Sequence, residues 1–186
     1  MIWHCAGTGE HGCVYVCASR WLLFALIAAG LLTGCGYRLA GRGELPGNTQ
    51  TIAVRILENR SSETGVETLI TNALINELNR RRRGSVVSMD RADAVLAGTI
   101  ESITWDTVAH RGINTASERR VYATISLTLI DRSGNVLWKR PGLSGEQAYT
   151  VVNDNKSATE FNRRQAISIL AEQVAENVYR RLTDNF

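Results

Sequence analysis

Along the chain, apolar residues first run unbroken, then alternate, then recur every three to four positions. Trp21 to Leu32 forms a continuous apolar stretch of 12 residues. At ~1.5 Å per residue a helix of that length is too short for a ~30 Å hydrocarbon layer, and it suits the h-region of a signal peptide. Further on, Ile52, Val54 and Ile56 alternate with Ala53, Arg55 and Leu57, which predicts a strand over TIAVRIL. Val66, Leu69, Ile70, Ala73, Leu74 and Leu78 then recur at helical spacing. Ser61 or Ser62 can cap that helix and Glu63 suits its first turn. Arg80 to Arg83 suit the negative end of its dipole, and Gly84 stops it.

SVVSM reads as a short strand and AVLAGTIESITW as a longer one. The parity of the longer strand slips between Ile100 and Ile103, which predicts a bulge or bend. DTVAHRGINTASER carries no pattern and reads as a long loop. In RVYATISLTLID, Val121, Ala123, Ile125, Leu127 and Leu129 face one way, and Tyr122, Thr124, Ser126 and Thr128 the other. That alternation predicts an antiparallel sheet covered on one side only. DRSGN has hairpin-turn chemistry, VLWKR returns, and GLSGEQAYTVV extends an edge. A last helix, about Thr159 to Thr183, carries the stripe Ile167, Leu170, Val174, Val178 and Leu182. The expected fold is α+β: a two-layer sandwich with an about four-stranded, mainly antiparallel sheet and two helices packed on one face.

The end of the first apolar run adds chemistry. Arg20 supplies a positive flank, and Leu32-Thr33-Gly34-Cys35 resembles the bacterial lipoprotein signature, the lipobox. The resemblance implies cleavage before Cys35, which would carry a thioether-linked diacylglycerol and an amide-linked acyl chain. Gly36 rather than Asp follows, which by the lipoprotein sorting rule of enteric bacteria favours the outer membrane. The expected organisation is a removed signal peptide over 1–34, a lipidated tether over 35–50 and a single α+β domain over 51–186. The residues before Arg20 are long and weakly basic for an n-region, and read as an upstream extension from a mis-called start.

Composition narrows the functional classes. The 186-residue chain has a net charge of +3, too balanced to point to nucleic acid. Its cysteines are Cys5, Cys13, Cys17 and Cys35, so the body can form neither an internal disulfide nor a thiolate zinc site. After Cys35 the sole histidine is His110, and no G-x-S-x-G, H-E-x-x-H or P-loop occurs. The expectation is a protein that is not an enzyme and takes no cofactor or metal. What remains is surface. Arg111, Arg119 and Arg120 flank the long loop, and Lys139 and Arg140 end the returning strand. Arginine suits bidentate contact with phosphate, and Trp105, Trp138 and Tyr122 offer apolar contact beside it.

CGYRLAGRGELP, TIAVRILENRSSETGVETLITNALINELNRR, ADAVLAGTI, SGNVLWKRPGLSGEQAYTV and AISILAEQVAENVYRRLTDNF together resemble the LPS-assembly lipoprotein family, LptE (RlpB). The likeness runs from Cys35 almost to Phe186 and is loosest in the central loop. It implies a non-enzymatic lipoprotein, anchored at the periplasmic face of the outer membrane. It also implies a partner, the β-barrel LptD, and a role in delivering lipopolysaccharide to the outer leaflet. Lipid A carries phosphates, so Arg111, Arg119, Arg120, Lys139 and Arg140 become candidate LPS-binding residues. ADAVLAGTI also looks like strands of penicillin-binding-protein activators and curli-secretion lipoproteins. The alternative is therefore another periplasmic lipoprotein adaptor, acting in wall synthesis or in a secretion assembly.

Overall fold

Five strands and two helices carry this pattern into the computed structural model, which describes residues 44–109 and 117–184. In chain order they are β1 (Ile52–Val54), β2 (Glu58–Asn59), α1 (Val66–Arg81), β3 (Ala94–Ala109), β4 (Ser117–Asp131), β5 (Val136–Val151) and α2 (Lys156–Thr183). The sheet order is β1-β3-β4-β5, with β2 also pairing β3. β3, β4 and β5 form an antiparallel meander. β1 and β2 run parallel to β3, and α1 supplies the crossover that a parallel connection requires.

One face of the sheet holds the core. Val121, Ala123, Ile125, Leu127 and Leu129 are buried, as are Leu96 and Ile100 of β3. Against them lie Val66, Ile70, Leu74 and Leu78 of α1, and Ile167, Leu170, Val174, Val178 and Leu182 of α2. Leu69 and Ala73 are only partly buried against this core. The helices run parallel, since Arg163 pairs with Glu63 at one end, and Arg80 with Glu176 at the other. Gly145 brings α2 close to β5: a Cβ there would lie 2.9 Å from Leu170 Cδ1 and 3.1 Å from Val174 Cγ2.

The predicted bulge is present, as the β3–β4 register shifts between Ile100 and Ser102. Four other expectations change. Neither Ser61 nor Ser62 caps α1. Its N-cap is Gly65 at φ 84, and the Ser61 hydroxyl and amide both donate to Asn59 Oδ1 in a local turn. SVVSM is no strand. Val86 makes an isolated bridge to Ile52, and a turn closed by Arg91 N on Ser88 O follows at once. Both ends of the long loop are strand, because Asp106 pairs with Arg120, Thr107 with Arg119 and Ala109 with Glu118, while residues 110–116 lie outside the described residues. Finally, VLWKR and GLSGEQAYTVV are a single strand, β5.

Part of the expected tether is also folded. Leu45 is 2% exposed, Pro46–Asn48 makes a 3-10 turn, and the Thr49 hydroxyl donates to Pro46 O. Gly47 sits against Leu137 of β5, so this segment spans one end of the sheet before entering β1. The expected signal peptide, Cys35 and the first part of the expected tether lie outside the described residues. Among the described residues no helix is long and apolar enough to cross a membrane.

Candidate functional site

The helices cover one sheet face and leave the other open. On β4 that face carries Arg120, Tyr122, Thr124, Ser126 and Thr128, all half-buried between neighbouring strands. Opposite them on β3 stand Asp106, Thr104, Ser102, Thr99 and Ala97. On β5 they face Ala148, Glu146, Ser144 and Lys139. The result is a lattice of hydroxyls edged by charges. Ser126 is its tie-point. Its hydroxyl donates to Glu101 Oε1 at 2.5 Å, and it accepts from Gly142 N at 3.1 Å. Glu101 is the bulged residue of β3 and Gly142 sits at the irregularity of β5, so one hydroxyl pins both bulges. Arg120 pairs with Glu146 across β4 and β5 at 3.1 Å. At the β2 edge, the hydrogen bond and charge of Arg60 hold the Glu58 carboxyl below its usual pKa.

Of the five cations expected to bind LPS, the four described do not converge. Arg111, with His110, lies outside the described residues. Arg119 and Arg120 pair with Tyr149 and Ala148, whereas Lys139 and Arg140 pair with Thr128 and Leu127. The two pairs are seven to nine positions apart along β4, or roughly 25 Å at about 3.3 Å per residue. Faces separate them as well, because successive residues of a strand point to opposite sides. Arg120 and Lys139 belong to the open face. Arg119 lies beyond the core on the helix side, near Lys156 and Glu160. Trp138 is 4% exposed and belongs to the core, so it offers no surface contact. Tyr122 lies on the open face, and Trp105, half exposed, stacks under the Arg163 guanidinium at 5.5 Å.

The sequence reading missed that Arg163 cluster. Arg163 bonds Glu63 and Glu160 at 2.5 and 2.7 Å, and these bonds raise its pKa further above an ordinary guanidinium. It joins α2 to the segment before α1, a structural role. Its signal in the sequence is slight, since Glu63 and Arg163 are 100 positions apart. Among the described residues no group of three His, Cys, Asp or Glu could hold a metal ion. A broad, hydrated face of hydroxyls suits contact with another polar surface.

Similar solved structures include rare lipoprotein B from Shewanella oneidensis, at TM-score 0.47 and 15% identity, covering 69% of this chain and 93% of that one. A minor lipoprotein from Acinetobacter baumannii aligns at TM-score 0.46 and 17% identity, over 73% of this chain and 92% of that one. The PelC dodecamer from Paraburkholderia phytofirmans aligns at TM-score 0.43 and 18% identity, over 76% and 93% respectively. A comparison with curated proteins finds no match. The family model "LptE: Lipopolysaccharide-assembly" matches residues 49–182, nearly all of the helix-and-sheet domain described above. The chain therefore belongs to the LptE lipopolysaccharide-assembly family.

Proposed function

We propose that this chain is a non-catalytic, lipid-anchored partner of the LptD β-barrel at the periplasmic side of the outer membrane. It helps assemble the LPS translocon and deliver lipopolysaccharide to the outer leaflet. The observation that carries this reading is the LptE family match over 49–182. The open sheet face supports it. Tyr122, Thr124, Ser126 and Thr128 form a polar surface of the kind that packs against the polar interior of a large barrel. Acylation at Cys35 supplies the anchor, since two or more acyl chains hold a protein stably on a bilayer. The anchor keeps the domain at high effective concentration beside its barrel. Arg119 and Arg120 at one end of β4, and Lys139 and Arg140 farther along β5, act as two separate cationic contacts for LPS phosphates. Arg111, eight positions before Arg119 in sequence, is a further candidate contact.

Affinity recovery of the acylated protein from outer membrane, with identification of what accompanies it, tests this reading. LptD is the expected partner. Recovery of a wall synthase, or of a self-oligomer alone, would overturn it in favour of another periplasmic adaptor. Mass spectrometry of the same sample reads acylation at Cys35, and an intact segment 1–34 without acyl chains would remove the anchor.

A further inference from the structure

Because the helices run parallel, both C-terminal ends lie at one end of the molecule. Arg80, Arg81, Arg82 and Arg83 close α1, and Arg180 and Arg181 close α2. Two contacts tie these ends together: Arg80 pairs with Glu176, and the Arg81 guanidinium stacks 5.7 Å from the Tyr179 ring centroid. Among the described residues the acids in this group are Glu77, Glu176 and Asp184. Glu77 is buried and holds Arg80 and Arg81 at 2.5 and 2.8 Å. The helix dipoles add roughly half a negative charge each. Six arginines exceed all of this, and Arg83, Arg180 and Arg181 are exposed. The neighbouring turns also carry Asp90, Asp93 and Asp131. Asp93 accepts from Gln50 and Thr51, and Asp131 accepts within its own turn.

The N-terminal segment enters the domain at this same end. Gln50 lines a recess with Arg80 to Ser85, and Ile52 N donates to Ser85 O at 2.7 Å. Only eight residues, hence nine Cα–Cα steps, separate Cys35 from Glu44, where the described chain begins. At ~3.5 Å per residue they reach about 30 Å when fully extended. Met89 stands 51% exposed in the turn that follows Ser85 to Val87.

We propose that this arginine-rich end is a docking surface for the anionic phospholipid headgroups of the leaflet that holds the anchor. The inference rests on the acylation of Cys35 given under Proposed function. A basic patch within tether reach of a lipid anchor acts as a second membrane signal, because each cation near an anionic surface adds to the attraction. Its effect is orientation. The helix ends turn toward the headgroups of that leaflet.

The test uses the acylated protein in nanodiscs of phosphatidylcholine, with or without 30% phosphatidylglycerol, read by amide hydrogen exchange. Residues 80–85 and 180–184 are expected to exchange at least about threefold more slowly in the anionic discs. That protection disappears in 0.5 M salt and in the Arg83→Glu/Arg180→Glu/Arg181→Glu variant. A control reversing as many exposed charges elsewhere, Arg55→Glu/Lys156→Glu/Arg164→Glu, keeps it. Equal exchange in both discs overturns the inference, as does protection that survives the first triple reversal. Protection that needs lipopolysaccharide in the disc and ignores phosphatidylglycerol also overturns it. Mass spectrometry separates the two readings. An acylated protein blind to headgroup charge sinks this inference alone, whereas an unacylated chain sinks the anchor and this inference together.

Discussion

A hydrogen in place of a methyl group sets the spacing of β3 and β4. A Cβ on Gly98 would lie 2.3 Å from Ser126 O and 2.5 Å from Leu127 Cδ2. Neither neighbour can yield cheaply, because the first is backbone and the second belongs to the buried Leu127. Gly98→Ala is therefore expected to destabilise the domain by about 2–3 kcal/mol, read from the urea midpoint at unchanged slope. In the sequence Gly98 is one small residue within ADAVLAGTI, and its necessity depends on how closely the opposite strand approaches. Glu77 makes a second case. Burial pushes its carboxyl up, but hydrogen bonds from Arg81 and Arg80 outweigh that and leave it below the ordinary value of 4.5. With the folded pKa depressed, its contribution is complete above the unfolded value and is lost as pH falls through the folded one. Stability is expected to drop from pH 5 toward pH 3, and Glu77→Gln should flatten that slope. At pH 7 the variant should be less stable by about 1 kcal/mol, a modest figure because both arginines are half exposed and screened.

At the scale of elements, apolar periodicity located the middles of strands and helices, and polar chemistry decided their ends. The stripe from Ile167 to Leu182 places α2 correctly, but the helix begins at Lys156, three residues before the first expected position. Its opening turn carries no apolar stripe. The start is set by Asn155, whose side-chain oxygen accepts from Ala158 N at 2.9 Å. Asn155→Ala is expected to cost about 1 kcal/mol. It should also speed amide exchange at residues 156–159 more than in the rest of α2. The ends of β3 and β4 were hidden for a different reason. There only the N-terminal part of α2 lies over the ladder, and Thr104 to Thr107 are exposed. A strand with no buried face leaves no alternation to read, so pairing held by backbone bonds looked like loop.

At the scale of the whole molecule, the asymmetry of the sheet was already visible in RVYATISLTLID: one parity builds the core, the other a face that no described element covers. The parallel packing of the helices was not visible, since the order of elements along a chain does not fix their relative direction. Nor was the distance between the two cation pairs visible, because closeness in sequence around a hairpin is not closeness along its strands. The open face makes a claim about function that stability measurements can separate from folding. Thr124 and Thr128 contribute hydroxyls to that face and no apolar mass to the core. Thr124→Glu/Thr128→Glu should therefore shift the unfolding midpoint by less than about 1 kcal/mol, the usual range for surface changes away from caps and cores. Against a barrel wall, however, two new carboxylates would lose hydration without a designed partner. Recovery of LptD with the acylated variant is expected to fall at least tenfold relative to wild type. The matching change on the outer side of α2, Phe161→Glu/Ile169→Glu, replaces two exposed apolar residues and should leave recovery unchanged. Equal recovery by all three proteins would mean that the uncovered sheet is not the surface that meets the barrel.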